Sequence, residues 1–369
     1  VSETTAPTSP LPFGATIGIV GGGQLGRMLA SAAARLGYRT AVLDPDPDCP
    51  AAQTANSVVV GAYGDAQALA ELARRSDVIT FEFENVPVEP LRRLERIKPV
   101  HPPVAALEVA QDRVTEKAFL NGIGIATAPW RAVDDAAELE HALIDLGTDA
   151  ILKTRRLGYD GKGQMRLAHD APTEGVFEAI GGVAAILEGR IAFEREISII
   201  AARGVDGSIR AFDPAENVHR DGILHSSTVP ADVSGAVAQQ AARIAGSILE
   251  RLDYVGVVGV EFFVAADGQL LVNEIAPRVH NSGHWTEAAA TISQFEQHIR
   301  AVCGLPLGDP RRHSDCVMEN LIGDAVERAA SLCAEPDVML TLYGKAEARA
   351  GRKMGHFTRI LPRQAPRGD

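Results

Sequence analysis

Positive charge is in short supply in this chain. Its 36 Lys and Arg are outnumbered by 48 Asp and Glu, for a formal net charge of −12. That balance argues against nucleic acid or an anionic membrane as the main partner, since either needs a surplus of cations over a broad face. Any phosphate ligand must therefore be held by a local positive cluster. Cysteine is scarce as well. Cys49, Cys303, Cys316 and Cys333 are scattered without CxxC spacing, which points to a reducing, cytoplasmic setting. No apolar run approaches the roughly 20 residues of a membrane span. The opening stretch, VSETTAPTSPLPFG (1–14), has neither the basic region nor the apolar core of a signal peptide and predicts a disordered tail. What remains, 369 residues with 46% apolar content, is an ordinary globular composition with room for two to four domains.

The most informative stretch is VVGVEFFVAADGQLLVNEIAPRVHNSGHWT, from Val257 to Thr286. Two β-rich runs, 257–264 and 269–275, flank Asp267-Gly268, a strong signal for a two-residue hairpin. In that register position i faces 535−i, and Glu261 stands opposite Glu274. Like charges opposed across a ladder are destabilising, and burying one unpaired costs more. Either one carboxyl is protonated or paired with an Arg, or a divalent cation sits between them. Mg²⁺, with Mn²⁺ as the alternative, suits two carboxylates completed by phosphate oxygens. Arg278, His280, Asn281 and His284 follow in a loop containing Pro and Gly, a density of polar groups that suggests an anion site beside the cation.

The N-terminal third reads βαβ. Strand 15–20 runs into Gly21-Gly22-Gly23-Gln24-Leu25-Gly26, helix 27–36 follows, and strand 40–43 stops at Asp44. Gly21, Gly23 and Gly26 spell GxGxxG, the dinucleotide fingerprint, although the same glycines serve any tight strand-to-helix turn. Strand 78–83 ends in Glu82, Glu84 and Asn85, where open α/β sheets place ligand groups. Ribose hydroxyls are one partner for these acids, and capping of the next turn is the other. Prolines 99, 102 and 103 mark a boundary, so the first domain is expected over 15–112. Helix 104–121 carries Arg113 and Lys117. The segment RRLGYDGKG (155–163), between strands 151–154 and 164–167, is built to lay amide N–H groups and cations over phosphates; an ordinary flexible hairpin is the alternative. Strand 184–187 ends at Glu188, Gly189-Arg190-Ile191 follows, and 193–202 alternates with Glu194, Glu196 and Ser198 on one face. That pattern suits either an adenine and its ribose at an edge backbone or a solvated antiparallel strand. His219-Arg220-Asp221-Gly222 reads as a turn, 236–252 and 287–303 as helices, and 314–369 as a small β-rich block with Lys345, Arg349, Arg352, Lys353 and His356.

Taken together, GGGQLGRML, KTRRLGYDGKGQ, LEGRIAFEREIS and the acids of VEFF…VNE resemble the ATP-grasp superfamily, whose members activate a carboxylate with ATP. NEIAPRVHNSGHWT, with GYDGKGQ, FEFENV and GRKMGH, is similar within it to the N5-carboxyaminoimidazole ribonucleotide synthase family, over about Ala15 to His356. The resemblance implies an α/β and α+β architecture. Its parts would be a Rossmann-like pre-ATP-grasp domain (15–112), a small lid subdomain (113–190), a large subdomain (191–305) and a C-terminal cap (306–369). It implies ATP-dependent carboxylation of 5-aminoimidazole ribonucleotide by bicarbonate through carboxyphosphate. It places ATP on Arg113, Lys153, Gly158, Tyr159, Asp160, Gly161, Lys162, Gly163, Gln164, Glu188, Gly189, Arg190, Ile191, Glu196, His219, Asn273 and Glu274, and the metal on Glu261 and Glu274. Arg278, His280, Asn281 and Lys353 would be catalytic. Gln24, Glu82, Tyr159, Asp160, Arg278, Lys345, Arg352 and Lys353 would contact the ribonucleotide. A homodimer handling only small molecules is implied. The family pattern continues past GRKMGH with a further strand and helix, whereas this chain stops at Asp369, so a shortened cap is expected. The competing readings are an NAD-dependent oxidoreductase, resting on GxGxxG and Asp44, a catalytically silent nucleotide-binding subunit, and another ATP-grasp ligase.

Overall fold

The computed structural model describes residues 9–158 and 163–363. Residues 1–8 of the expected tail lie outside that range, but 9–14 are not a free tail. Leu11 N–H donates to the Cys303 carbonyl at 2.9 Å, Gly14 N–H donates to Gly37 at 2.9 Å, and Phe13 leans on the Tyr38 ring.

The N-terminal sheet comprises β1 (Thr16–Val20), β2 (Arg39–Asp44), β3 (Ser57–Val60) and β4 (Val78–Phe81), all parallel in the order β3-β2-β1-β4. Helix α1 (Gln24–Arg35) buries Leu25, Met28, Leu29, Ala32 and Ala33, the i, i+3, i+4, i+7 stripe of an amphipathic helix. Each large side chain so buried is worth about 1.5–3 kcal/mol. Asp65 caps α2 (Ala66–Arg75) by accepting from the Gln67 and Ala68 N–H groups, and α3 (Val88–Glu95) follows. The single helix expected over 104–121 is two. Helix α4 (Val104–Ala110) ends at Gln111, and Asp112 caps α5 (Arg113–Gly122) through the Val114 and Thr115 N–H groups.

A second, antiparallel sheet is formed by β5 (Trp130–Val133), β6 (Ala150–Thr154), β7 (Gln164–Leu167) and β8 (Ala185–Gly189), in the order β5-β8-β6-β7. Helices α6 (Ala136–Leu146) and α7 (Val176–Ala179) cover it, and Leu139, Leu143, Leu152 and Leu187 form its core. The third sheet has nine strands: β9 (Arg195–Arg203), β10 (Ile209–Ala211), β11 (Ala215–Arg220), β12 (Ile223–Val229), β13 (Gly256–Val264), β14 (Leu270–Ala276), β15 (Asp315–Ile322), β16 (Val338–Leu342) and β17 (Lys353–Leu361). Its order is β14-β13-β9-β11-β12-β15-β17-β16, with β10 beside β9. The β-rich block at the C-terminus is therefore not a separate sheet. Strand β15 pairs with β12 and extends the same ladder, and GRKMGH runs into β17 instead of ending the fold. Helix α8 (Gly235–Arg251) buries Ala241, Ala245 and Ile248 with β9 and β13. The helix expected over 287–303 is also two, α9 (Thr286–Ala289) and α10 (Gln294–Val302), the latter capped by Ser293; α11 (Ala329–Leu332) follows β15.

The β13–β14 register confirms the opposition of Glu261 and Glu274 but not the turn that predicted it. The connection is a three-residue loop, 266–268. Ala265 N–H bonds the Gln269 carbonyl, Gly268 N–H bonds the Ala265 carbonyl, and Gly268 sits at φ +81°. Val264 consequently faces Leu270 and Phe262 faces Val272, one residue off the expected pairing. A bulge then leaves Asn273 unopposed and restores the register at Glu261–Glu274. Two one-residue shifts cancel.

Candidate active site

The opposed carboxylates lie where the nine-stranded sheet, α5 and the small sheet converge. Glu261 is 9% exposed, and burial together with the Glu274 charge pushes its pKa up. Arg113 Nη1 stands 3.3 Å from Glu274 Oε2, and His280 Nε2 stands 3.6 Å from Glu261 Oε1. Among the described residues no group of three or more His, Cys, Asp or Glu could hold a metal. The protein thus offers two carboxylates, Glu261 buried and Glu274 open on one side, and leaves the remaining positions to a ligand. That donor set fits Mg²⁺ shared with phosphate oxygens.

Two consecutive residues of α5, not singled out as site residues in the sequence, fix the backbone on either side of Glu274. Lys117 Nζ donates to the Asn273 carbonyl at 2.7 Å, and Glu116 Oε1 accepts from Ile275 N–H at 2.6 Å. Both side chains are almost wholly buried, Lys117 at 1% and Glu116 at 2% exposure. Burial lowers the Lys117 pKa and raises that of Glu116 to about 8. The sequence showed Lys117 only as a cation on the expected helix 104–121, and nothing in one sequence says which strand either side chain reaches. Lys117 also approaches Glu188 at 3.9 Å, while Lys153 Nζ bonds the other Glu188 oxygen at 2.8 Å. Burial opposes ionisation of Glu188, yet the two lysines outweigh it and hold its pKa at about 2.

Other expected nucleotide residues gather nearby. His219 Nδ1 lies 2.7 Å from Glu196, and its pKa is raised by that carboxylate against burial. Arg113 Nη2 reaches the Gly158 carbonyl at 3.3 Å, and Gly163, at φ +69°, leads into Gln164, which pairs with Lys153. Tyr159, Asp160, Gly161 and Lys162 lie outside the described residues. Gly189 closes β8, and Ile191 follows in the irregular linker 190–194. β9, for which the sequence suggested an edge or a solvated strand, is neither: it lies between β13 and β11 and is mostly buried, as β8 is between β5 and β6. Arg190 is not drawn into the cluster, since its guanidinium pairs with half-exposed Asp149 at 3.8 Å.

The loop after β14 provides the second half. Arg278 Nε contacts Glu84 at 2.5 Å, so Glu84 is tied to this loop. His280 Nδ1 bonds Ser282 Oγ at 2.8 Å, and burial with the Arg278 charge lowers its pKa to about 3. Asn281 is informative because both its side-chain atoms, Oδ1 and Nδ2, are buried with no partner among the described residues. A buried amide left unpaired is costly, and a polar ligand would satisfy it. His284, expected to line an anion site, is 1% exposed and packs against the His356 ring at 4.7 Å. Lys353 opens β17, Lys345 Nζ donates to the Lys353 carbonyl at 2.7 Å, and Arg352 Nη1 donates to the Glu347 carbonyl at 3.0 Å.

The glycine turn carries a correction. Glu82, expected to contact substrate, spends both oxygens on the turn, accepting from Gly23 N–H at 2.6 Å and Gly26 N–H at 2.7 Å. Asp44 accepts from Gly22 N–H and from the Tyr63 hydroxyl, both at 2.7 Å. The amides that would cradle a pyrophosphate, and the acid that would take a ribose hydroxyl, are engaged with one another, which removes the basis of the NAD reading. Gln24 is the first residue of α1, directly above this clamp.

A small antiparallel sheet facing a large one, with cationic and carboxylate side chains converging between them, defines an ATP-grasp enzyme. Family models match accordingly: an ATP-grasp domain over 118–295, a ribonucleotide synthetase preATP-grasp domain over 14–111 and a phosphoribosylaminoimidazole carboxylase C-terminal domain over 316–365. The N5-carboxyaminoimidazole ribonucleotide synthase of Brucella melitensis is 63% identical across 95% of this chain and 97% of that protein. Among solved structures, an N5-carboxyaminoimidazole ribonucleotide synthetase in complex with ADP superposes with a TM-score of 0.93 at 41% identity, covering 96% of this chain and 95% of that one. An Aspergillus clavatus synthase in complex with ADP and 5-aminoimidazole ribonucleotide gives 0.88 at 31% identity, covering 95% and 94%. The chain belongs to the N5-carboxyaminoimidazole ribonucleotide synthase family, and its class is that of ATP-dependent carbon–nitrogen ligases.

Proposed function

We propose that the protein joins ATP, bicarbonate and 5-aminoimidazole ribonucleotide to give N5-carboxyaminoimidazole ribonucleotide, ADP and phosphate, a step of purine synthesis. The observation that carries this reading is the opposed Glu261–Glu274 pair, Glu261 buried and Glu274 partly open, lying beside Arg278, His280 and the unsatisfied amide of Asn281. Arg113, Lys153, Glu188, Glu196 and His219 would hold the nucleotide, with 158–164 over its phosphates and Asn273 beside it. Mg²⁺ on Glu261 and Glu274 would neutralise phosphate charge. Arg278 offers a fixed fork that matches planar bicarbonate and stays charged as negative charge accumulates, while His280, kept neutral by burial, orients it. Attack of the bicarbonate oxygen on the γ-phosphorus releases ADP and forms carboxyphosphate. The exocyclic amine then takes the carboxyl group and phosphate leaves. Lys353, with Arg352, Lys345, Gln24, Tyr159 and Asp160, would hold the ribonucleotide. A homodimer in the cytoplasm belongs to the same reading.

The test is phosphate release with ATP and bicarbonate, with and without the aminoimidazole ribonucleotide. Stimulation by both substrates is expected, and Glu274→Gln should abolish most turnover while leaving the circular dichroism spectrum unchanged. Phosphate release indifferent to bicarbonate would refute the assignment.

A further inference from the structure

The loop that carries Arg278, His280 and Asn281 makes one short 3-10 turn of its own, in which Gly283 N–H donates to the His280 carbonyl at 3.0 Å and His284 N–H to the Asn281 carbonyl at 3.1 Å. From outside the turn, both backbone groups of His280 are held by one buried side chain, Gln294, the first residue of α10. Gln294 is 0% exposed. Its Oε1 accepts from His280 N–H at 2.9 Å, and its Nε2 donates to the His280 carbonyl at 2.7 Å and to His284 Nδ1 at 3.1 Å. The orientation of this amide is determined by chemistry. A backbone N–H can only donate, so the atom facing it is the oxygen, and both amide hydrogens face acceptors. His284 therefore carries its proton on Nε2. The backbone N–H of Gln294 donates to Thr286 Oγ1 at 2.9 Å, and that hydroxyl donates to the Gly283 carbonyl at 2.6 Å. A Cβ on Gly283 would stand 2.7 Å from Gln294 Oε1, so the loop is pressed against the amide.

We propose that Gln294 is the positioning residue for bicarbonate use. It touches no reacting atom, but it pins both backbone groups of His280, next to Asn281, and so determines where these two side chains stand relative to Glu261. The proposal rests on the assignment of bicarbonate to this loop. A displacement of about 1 Å at a reacting centre costs on the order of 10²-fold in rate.

The fold supplies its own control. Gln297, one turn further along α10, is also 0% exposed and clamps a backbone in the same bidentate way, with Nε2 to the Gly308 carbonyl at 3.0 Å and Gly308 N–H to Oε1 at 2.8 Å. It holds a loop outside the site. The experiment is steady-state turnover at saturating ribonucleotide, with bicarbonate varied at saturating ATP and then ATP varied at saturating bicarbonate, for Gln294→Glu, Gln294→Asn and Gln297→Met, each with its Tm. Glu at 294 would turn an oxygen toward the His280 carbonyl and His284 Nδ1, both acceptors, and Asn would draw the amide back from the loop. Both should raise the bicarbonate KM at least tenfold and lower kcat by about 10²-fold, with the ATP KM within twofold of the parent. Gln297→Met should lower Tm and leave the bicarbonate KM unchanged. If the 294 variants lower Tm as Gln297→Met does and leave the bicarbonate KM unmoved, Gln294 is structural only and the proposal falls. If the parent enzyme itself shows no bicarbonate dependence, the assignment of the loop falls instead.

Discussion

Glu82→Gln separates a clamp from a substrate contact. In the structure the Glu82 carboxylate accepts two N–H bonds of 2.6 and 2.7 Å at the N-terminus of α1. Hydrogen bonds to a charged acceptor contribute about 1.5–3 kcal/mol each, and a carboxylate at a helix N-terminus is further favoured by the helix dipole. Gln keeps one acceptor but turns an NH₂ toward the second amide, so at least one bond is lost and one donor is orphaned. Loss of the charge also removes the burial cost that pushes the Glu82 pKa up, which offsets part of this. The net cost is about 2 kcal/mol, equivalent to a roughly 30-fold increase in local opening at 1.36 kcal/mol per factor of ten. Native-state hydrogen exchange reads this directly. The Gly23 and Gly26 amides should exchange about 30-fold faster in the ligand-free variant. Unchanged exchange in the ligand-free protein, with a loss seen only in the ribonucleotide KM, would mean that Glu82 contacts substrate and does not hold the turn.

Two further outcomes are expected. Lys117→Met leaves the Asn273 carbonyl and one Glu188 oxygen without a cation in buried surroundings, and should cost about 3 kcal/mol in urea unfolding; a change below about 0.5 kcal/mol would contradict the bracing of Glu274. Burial opposes ionisation of Glu84, but the Arg278 charge and hydrogen bond prevail and lower its pKa to about 2. Because the folded value lies below the unfolded one, the stability is present above about pH 4.5 and is lost as pH falls toward 2. Glu84→Gln should flatten the fall in stability across that window, and an unchanged acid profile would count against the ion pair.

The elements whose periodicity is local were legible in the sequence. The βαβ opening and the amphipathic stripe of α1 depend on neighbours three or four residues away. The Glu261–Glu274 opposition was legible too, though by compensation. Asp267-Gly268 suggested a two-residue turn, and the bulge at Asn273 absorbed the error. A bulge leaves no trace in a pattern of alternating apolar residues. The glycine turn misled for a related reason. GxGxxG records the space the backbone needs, not the group that fills it, and here the filler is Glu82, 56 residues beyond Gly26. Gln294 and Glu116 were invisible as site residues because their partners are backbone atoms, which every residue carries. β17 was missed because its basic, Gly-containing start resembled a loop; its strand character comes from pairing with β15.

Strand β15 hydrogen-bonds β12 on one side and β17 on the other, so the C-terminal block and the large subdomain share one uninterrupted ladder. A ladder of this kind has no flexible joint, and turning one part against the other would break a whole row of backbone bonds together. The β5-β8-β6-β7 sheet stands apart: it shares no ladder with the nine-stranded sheet, and α5 bridges the two through Arg113–Glu274 on β14 and Lys117–Glu188 on β8. A closure over the nucleotide is therefore expected of that sheet, one jaw against an anvil. β14 and β17, which lead into and out of the loops that would receive the amine, both lie in the anvil.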